Sequence, residues 1–257
     1  MADPVRVTID GPRADLALCR PQVHNALNGE LLDALAAAIR DVARRPSVRY
    51  AVLSGDGPSF CAGADLHWMR ASLDISVEEN RADAARLVGT LTAITTCPKP
   101  IIARVHGAAL GGGVGLVAAC DLVASTPTAV FGLAEVRLGL VPAMIFPFLL
   151  GRVALPHLRW AAMTGDRFPA ARAMEIGLVN EVADDPETII GRWAGSLVAA
   201  GPHALGGVKE VFNVFPFLPP DALRAQAINV GARVRAGPEA QEGMRAFLER
   251  RKASWTP

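Results

Sequence analysis

His106-Gly107-Ala108-Ala109-Leu110-Gly111-Gly112-Gly113-Val114-Gly115-Leu116 is the stretch on which the reading of this chain turns. An apolar strand signal, Ile101 to Val105, runs into it, and an apolar helix signal, Val114 to Ala119, leaves it and ends at Asp121. A glycine-rich turn between a strand and a buried helix lets another group approach the backbone closely. The first N–H groups of such a helix are unpaired and lie at its positive end. They suit an oxygen that gathers negative charge. Tight packing of the helix against the strand accounts for the glycines equally well. A phosphate loop fits less well, because the stretch lacks GxxxxGK[ST] and a full GxGxxG. The looser match at Gly113, Gly115 and Ala118 begins at the edge of the helix rather than in the turn.

Working outward, Val5, Val7 and Ile9, then Leu16 and Leu18 across Gly11-Pro12, give a hairpin signal. Asn28 is a suitable N-cap for a helix carrying Leu31, Leu32, Leu35, Ile39 and Val42 on one face. Tyr50 to Leu53 reads as a strand, residues 74 to 94 as a helix, and Leu122–Ala124 and Ala129–Phe131 as short strands. Alternation of strands and helices implies an α/β fold of repeated ββα-like or βαβ units. Beyond Pro142 the pattern turns helical, with helix starts expected at Pro186, Pro202 and Pro219. Such a tail either packs on its own chain or embraces a neighbour.

The 257 residues are 51% hydrophobic and 20% charged, with a formal net charge of +1, which suits a large globular core. That balance supplies no general attraction for nucleic acid or an anionic membrane. Cys19, Cys61, Cys97 and Cys120 show neither CxxC nor close Cys/His spacing and read as reduced thiols of a cytoplasmic protein. The first ten residues lack a signal-peptide pattern, and no apolar run approaches a membrane span. No His/Asp/Glu spacing suggests a metal site. Ser54, Ser59 and Ser125 lack a GxSxG setting.

A second segment, Ser59-Phe60-Cys61-Ala62-Gly63-Ala64-Asp65-Leu66, also follows a strand and a Gly/Pro turn with small side chains. FCAGADL followed by HGAALGGGVGL and ACD resembles the crotonase family of enoyl-CoA hydratases and isomerases. The likeness continues through FGLAEVRLGLVP at Phe131–Pro142, Thr164–Phe168, Gly177–Asn180 and Glu242–Phe247, so it covers nearly the whole chain in order. Around GGVGL and EVRLGL it is similar to bacterial hydratases of the methylglutaconyl-CoA type.

The resemblance implies a spiral core of ββα repeats over residues 1–195 and a helical region over 196–257 that builds a homotrimer or a dimer of trimers. It implies an acyl-CoA thioester as substrate, with coenzyme A as part of that substrate and no prosthetic group, metal, nucleic acid or membrane. The oxyanion donors would be the N–H groups of Ala64 and Gly112. Ala26, in the adenine-side loop from Arg20 to Asn28, and Ala62, Asp65, Leu66 and His67 would contact CoA or the thioester. Phe247 and Arg250 match a C-terminal region that can reach a neighbour's CoA.

Hydratases of the family carry two glutamates, and here the chain departs from the pattern. The later one is present as Glu135; the earlier position is Gly115, which is expected to leave space facing Glu135. A two-acid hydratase uses one carboxylate to activate water and the other to protonate the substrate. Three readings follow. In the first, hydration persists, with another group or an ordered water replacing the missing acid. In the second, Glu135 alone moves a proton in a Δ3,Δ2-enoyl-CoA isomerase. In the third, the protein is a non-catalytic acyl-CoA-binding or RNA-binding relative. A buried carboxylate such as Glu135 needs a purpose or a partner, and Arg137 is the nearest partner in sequence. Asp65 is expected to bond local N–H groups and shape the turn at Ala64. Trp68 and Met69 read as core or channel residues.

Overall fold

The structure is a computed structural model that describes residues 3–256. Val5–Asp10 (β1) and Arg13–Leu18 (β2) form the expected hairpin, with Val5 opposite Leu18 and Val7 opposite Leu16. Gly29–Arg44 (α1) starts at Asn28, whose side-chain oxygen accepts from the Leu31 N–H at 2.9 Å. Its Leu31, Leu32, Leu35, Ile39 and Val42 are all buried, as their helical spacing requires.

Tyr50–Gly55 (β3) is followed by Leu66–Ala71 (α2) and Val77–Thr96 (α3). Helix α3 begins at a capping box, Ser76 with Glu79. Ile101–Val105 (β4), Ala108–Leu110 (β5) and Gly112–Ala119 (α4) follow, then Leu122–Ser125 (β6) and Val130–Gly132 (β7). After a 3-10 turn at Ala134–Leu138 come Phe146–Leu150 (α5), Leu155–Thr164 (α6), Arg167–Pro169 (β8), Ala170–Glu175 (α7) and Glu181–Val182 (β9). Pro186–Ala199 (α8), Pro202–Val214 (α9), Pro220–Ala236 (α10) and Pro238–Leu248 (α11) complete the chain.

One sheet has the order β1-β2-β3-β4-β6-β9, parallel except for the β1–β2 hairpin. A second has the order β5-β7-β8. Consecutive strands β4 and β5, and again β6 and β7, therefore go to different sheets. That is the ββα spiral: in these passes the chain adds one strand to each sheet, while β1, β2 and β3 all go to the larger one. The main core lies between these layers and α1, α3 and α4, around Leu16, Leu53, Phe60, Leu91 and Phe131. Helix α8 covers the other face of the larger sheet, where Ile189 and Ile190 pack on Tyr50, Val52 and Ile102. With both faces covered, β3 is buried at every residue.

Three short strands depart from the sequence reading. Ala108–Leu110 falls within the expected glycine turn but pairs with β7; β8 and β9, in the stretch expected to be helical, pair with β7 and β6. Each is two or three residues long and is defined by its partner, so no local periodicity announces it. Helix α2 was also not expected; Asp65 caps it.

The helical tail packs on its own chain. Lys209 on α9 is buried, and its Nζ donates to Asp121 Oδ2 at 2.7 Å and to the Ile94 and Lys99 carbonyls at 3.1 Å. The same Asp121 oxygen accepts the Ile101 N–H at 2.7 Å, which ties the tail to the edge of β4. Phe212, Phe247 and Leu248 nonetheless stay exposed on α9 and α11. Among the described residues no helix is long and apolar enough to cross a membrane.

Candidate active site

The backbone around Ala64 is fixed from both sides. Leu27 donates its N–H to the Gly63 carbonyl at 2.7 Å and accepts from the Asp65 N–H at 2.9 Å, a parallel bridge centred on Ala64. In that pattern the N–H of Ala64 itself points away from Leu27. Among the described residues it has no partner, and Ala64 is exposed. Gly63 makes the turn at φ +99°, where a Cβ would also come within 3.0 Å of the Leu110 carbonyl oxygen.

One strand away, Cys61 bridges Ala109, with Cys61 N–H to Ala108 O at 2.9 Å and Leu110 N–H to Cys61 O at 3.0 Å. Gly111 then donates to Gly132 O at 2.9 Å, and the first helical bond of α4 runs from Gly115 N–H to Gly111 O at 3.2 Å. The Gly112 N–H, at the positive end of α4, has no partner among the described residues. Leu27 connects the two donors: it bridges Ala64, and its Cδ1 lies 2.7 Å from where a Cβ on Gly112 would sit. A Cβ on Gly113 would meet the Cys61 carbonyl at 2.4 Å. The glycines thus serve both readings at once, packing α4 tightly and leaving a donor free. Cys61, sealed beneath, has its thiol pushed up to about 12 by burial.

Asp65 holds the other side of this turn. Its Oδ1 accepts from the His67 N–H at 2.8 Å and the Trp68 N–H at 3.4 Å, capping α2, while Oδ2 pairs with Arg20 at 2.8 Å. Burial works against the charge on Asp65, but Arg20 and the two N–H groups outweigh it and lower its pKa. Arg20 also donates to the Ala26 carbonyl. Buried Asn25 secures the Arg20 loop, accepting from the Arg20 N–H at 2.9 Å and donating to the Asp56 and Ser59 carbonyls at 2.8 Å. The role of Arg20 was not foreseen; its only signal was its place in the Arg20–Asn28 motif.

Glu135 sits on the 3-10 turn after β7. Its Oε1 lies 3.2 Å from the position of a Cβ on Gly111, at the mouth of α4. Oε2 is buried and has no hydrogen-bond partner among the described residues. Burial raises its pKa above the ordinary carboxylate value. Arg137 does not neutralise it, since that guanidinium pairs with Asp166 at 2.5 Å.

The space expected at Gly115 does not exist. A Cβ there would lie 2.5 Å from Ile145 Cγ2, 3.0 Å from Ile145 Cβ and 3.4 Å from Leu91 Cδ1. Ile145 comes from the segment between Pro142 and α5, and its apolar side chain fills the volume a second acid would need. The sequence pattern Pro142–Phe146 carried no periodicity that would point Ile145 inward.

Of the other expected contact residues, Ala26 is buried, and Ala62 is half-buried with its N–H on the His24 carbonyl. Leu66 and His67 are exposed on the first turn of α2 beside Ala64. Trp68 packs partly against the core and donates its indole N–H to Asp83 on α3 at 2.7 Å. Phe247, 82% exposed, and Arg250 stand apart, at the end of and just beyond α11, a helix that packs on α9 and α10. No group of three or more His, Cys, Asp or Glu among the described residues could hold a metal ion.

The family model for enoyl-CoA hydratase/isomerase matches residues 14–257. The chain is 34% identical over 248 residues to crotonyl-CoA hydratase of Syntrophomonas wolfei, covering 94% of each protein. It is 30% identical over 266 residues to carnitinyl-CoA dehydratase of Salmonella enteritidis, covering 99% of each. The crystal structure of an enoyl-CoA hydratase from Shewanella pealeana superposes with a TM-score of 0.94 at 30% identity, over 98% of this chain and 96% of that one.

Proposed function

The chain belongs to the enoyl-CoA hydratase/isomerase family, and from that premise we propose that it adds water across the 2,3 double bond of an unsaturated acyl-CoA. The observation that carries this reading is Glu135, a half-buried residue whose carboxylate keeps one buried, unpartnered oxygen beside the free Gly112 donor at the start of α4. The thioester oxygen lies between the N–H groups of Ala64 and Gly112. As water oxygen bonds to C3, Glu135 takes the water proton and the displaced electron pair moves onto the thioester oxygen. The two N–H groups bind that enolate more tightly than the ground-state carbonyl, an effect worth about 2.7–4 kcal/mol per donor. Glu135 then returns the proton to C2 as the carbonyl re-forms. The raised pKa of Glu135 suits a group that must both accept and give a proton.

The packing of Ile145 on Gly115 favours a second reading, the Δ3,Δ2-enoyl-CoA isomerase, because it leaves one carboxylate. There Glu135 removes a proton from C2 and delivers it to C4, through the same enolate. Purified protein given a 2-enoyl-CoA and, separately, a 3-enoyl-CoA distinguishes the two. 3-Hydroxyacyl-CoA from the first substrate supports hydration; migration of the double bond without hydroxyacyl product replaces it with isomerisation. Loss of both products would leave a binding protein.

In this reading coenzyme A arrives and departs with the substrate, and the steps need no metal or prosthetic group. The working form is a homotrimer or a dimer of trimers built through the helical region. Support comes from Phe212 on α9 and Phe247 and Leu248 on α11, which are 72%, 82% and 79% exposed in the single chain; large apolar side chains left in water gain by burial against a neighbour. In such an assembly Phe247 and Arg250 would serve the CoA of a neighbour.

A further inference from the structure

Gly111, the residue just before α4, and Gly115, one turn into it, are joined by the first hydrogen bond of the helix and so lie next to each other at its start. The Gly111 side faces the Glu135 carboxylate; the Gly115 side faces Ile145, with Leu91 of α3 behind it. Leu87, one turn earlier on α3, reaches toward Gly112, where its Cδ2 would lie 3.9 Å from an added Cβ. Ile145, Leu87 and Leu91 are all buried.

We infer that Ile145, seated on Gly115 with Leu91 behind it, is the specificity-determining wall of the acyl site, limiting the protein to short apolar acyl groups. This rests on the acyl-CoA reading above. A thioester held at Ala64 and Gly112, with C2 and C3 beside Glu135, extends its next carbons along the Gly111–Gly115 side of α4. Ile145 is the first side chain met there. It is branched at Cβ and fixed against the helix backbone, so it cannot swing aside as an unbranched side chain could. Its face is apolar, so it offers neither a proton nor a hydrogen bond to water at that place. The same side chain that removes the second acid therefore also sets the length of the acyl group.

The test measures binding, so it needs no turnover. Isothermal titration of the whole protein compares two saturated, unreactive thioesters, butanoyl-CoA and octanoyl-CoA, in the wild type and in Ile145→Ala. The wild type should prefer butanoyl-CoA by about 10-fold or more, the range that a misfitting methylene group commands in a closed apolar pocket. Ile145→Ala should remove most of that preference by tightening octanoyl-CoA. Ile145→Val, which keeps the branch, should shift it less in the same direction and stands in if the alanine variant does not fold. Octanoyl-CoA binding the wild type as tightly as butanoyl-CoA would overturn the inference. So would an unchanged preference in a folded variant. Failure of both thioesters to bind would instead overturn the acyl-CoA reading, and this one with it.

Discussion

Around Ala64 and Gly112 the site is made of backbone, pinned by bridges at Leu27–Ala64 and Cys61–Ala109 and by the start of α4. Around Glu135 it is made of one side chain on a 3-10 turn, followed by Leu138, Leu140 and Val141, which are all exposed. The first region leaves the N–H groups of Ala64 and Gly112 without a bond among the described residues. The second leaves a charge without a partner. Backbone donors are hard to alter by changing a single side chain, so the first region preserves the intermediate. A lone carboxylate and the wall beside it are easily altered, and they choose the reaction.

Removing the carboxylate should show this division most sharply. Glu135→Gln is expected to cut turnover about 10²- to 10⁴-fold, the usual contribution of general acid–base catalysis, while acyl-CoA affinity stays near wild type. Steady-state kinetics with titration of a saturated acyl-CoA checks both. A parallel loss of affinity would mean that the two regions are not separable.

In the backbone region the largest stability change is expected from Asp65→Ala, which takes the carboxylate from half-buried Arg20 and leaves it the Ala26 carbonyl. Breaking such a pair by removing one partner costs about 3–5 kcal/mol, measured by denaturant unfolding. The native carboxylate also has a pH signature. Its pKa is depressed in the fold, so its contribution is present above the ordinary value of 3.8 and is lost as pH falls through the depressed one.

Gly113→Ala should blur the comparison, because its Cβ would meet the Cys61 carbonyl at 2.4 Å and must push α4 off the bridge strand. Overpacking of this kind costs about 1–3 kcal/mol. Displacement of the Gly112 donor should lower turnover although Glu135 is intact. Unchanged turnover would separate the Gly112 N–H from the chemistry.

The smallest effect concerns the stability of Glu135 itself. Its raised pKa means that the folded state binds the proton more tightly than the unfolded one. Its carboxyl contributes stability below the ordinary value of 4.5 and loses it as pH rises through the folded pKa. Glu135→Gln should therefore melt slightly higher than wild type at neutral pH, the smallest shift of the set. The difference should vanish in acid. Equal melting at neutral pH would mean that Oε2 finds a partner in solution.

Much of the fold was legible because its signals are local. Asn28 capped α1, the Gly11 hairpin closed as its alternation required, and Pro186 and Pro202 opened their helices. Pro219 became the N-cap of α10, one residue before the helix. Strands β5, β8 and β9 were not legible, since two or three residues carry no period and are defined by strands far away in sequence. Asp65 was rightly expected to bond local N–H groups, while its pairing with Arg20 joins residues 45 apart.

From the residues came the glycine-rich turn and the small-residue segment at Ala62–Ala64, because small side chains fix where backbone can approach a ligand; the resemblance these motifs carry gave the family, the single glutamate and the place of the missing one. Only tertiary structure decided what stands in the place of that carboxylate. Gly115 read as an opening because a residue without a side chain suggests space, yet space belongs to the packed interior and not to the residue. Interiors are filled to the density of organic crystals, so a vacancy on one element is taken up by another, here by Ile145 from 30 residues further along the chain.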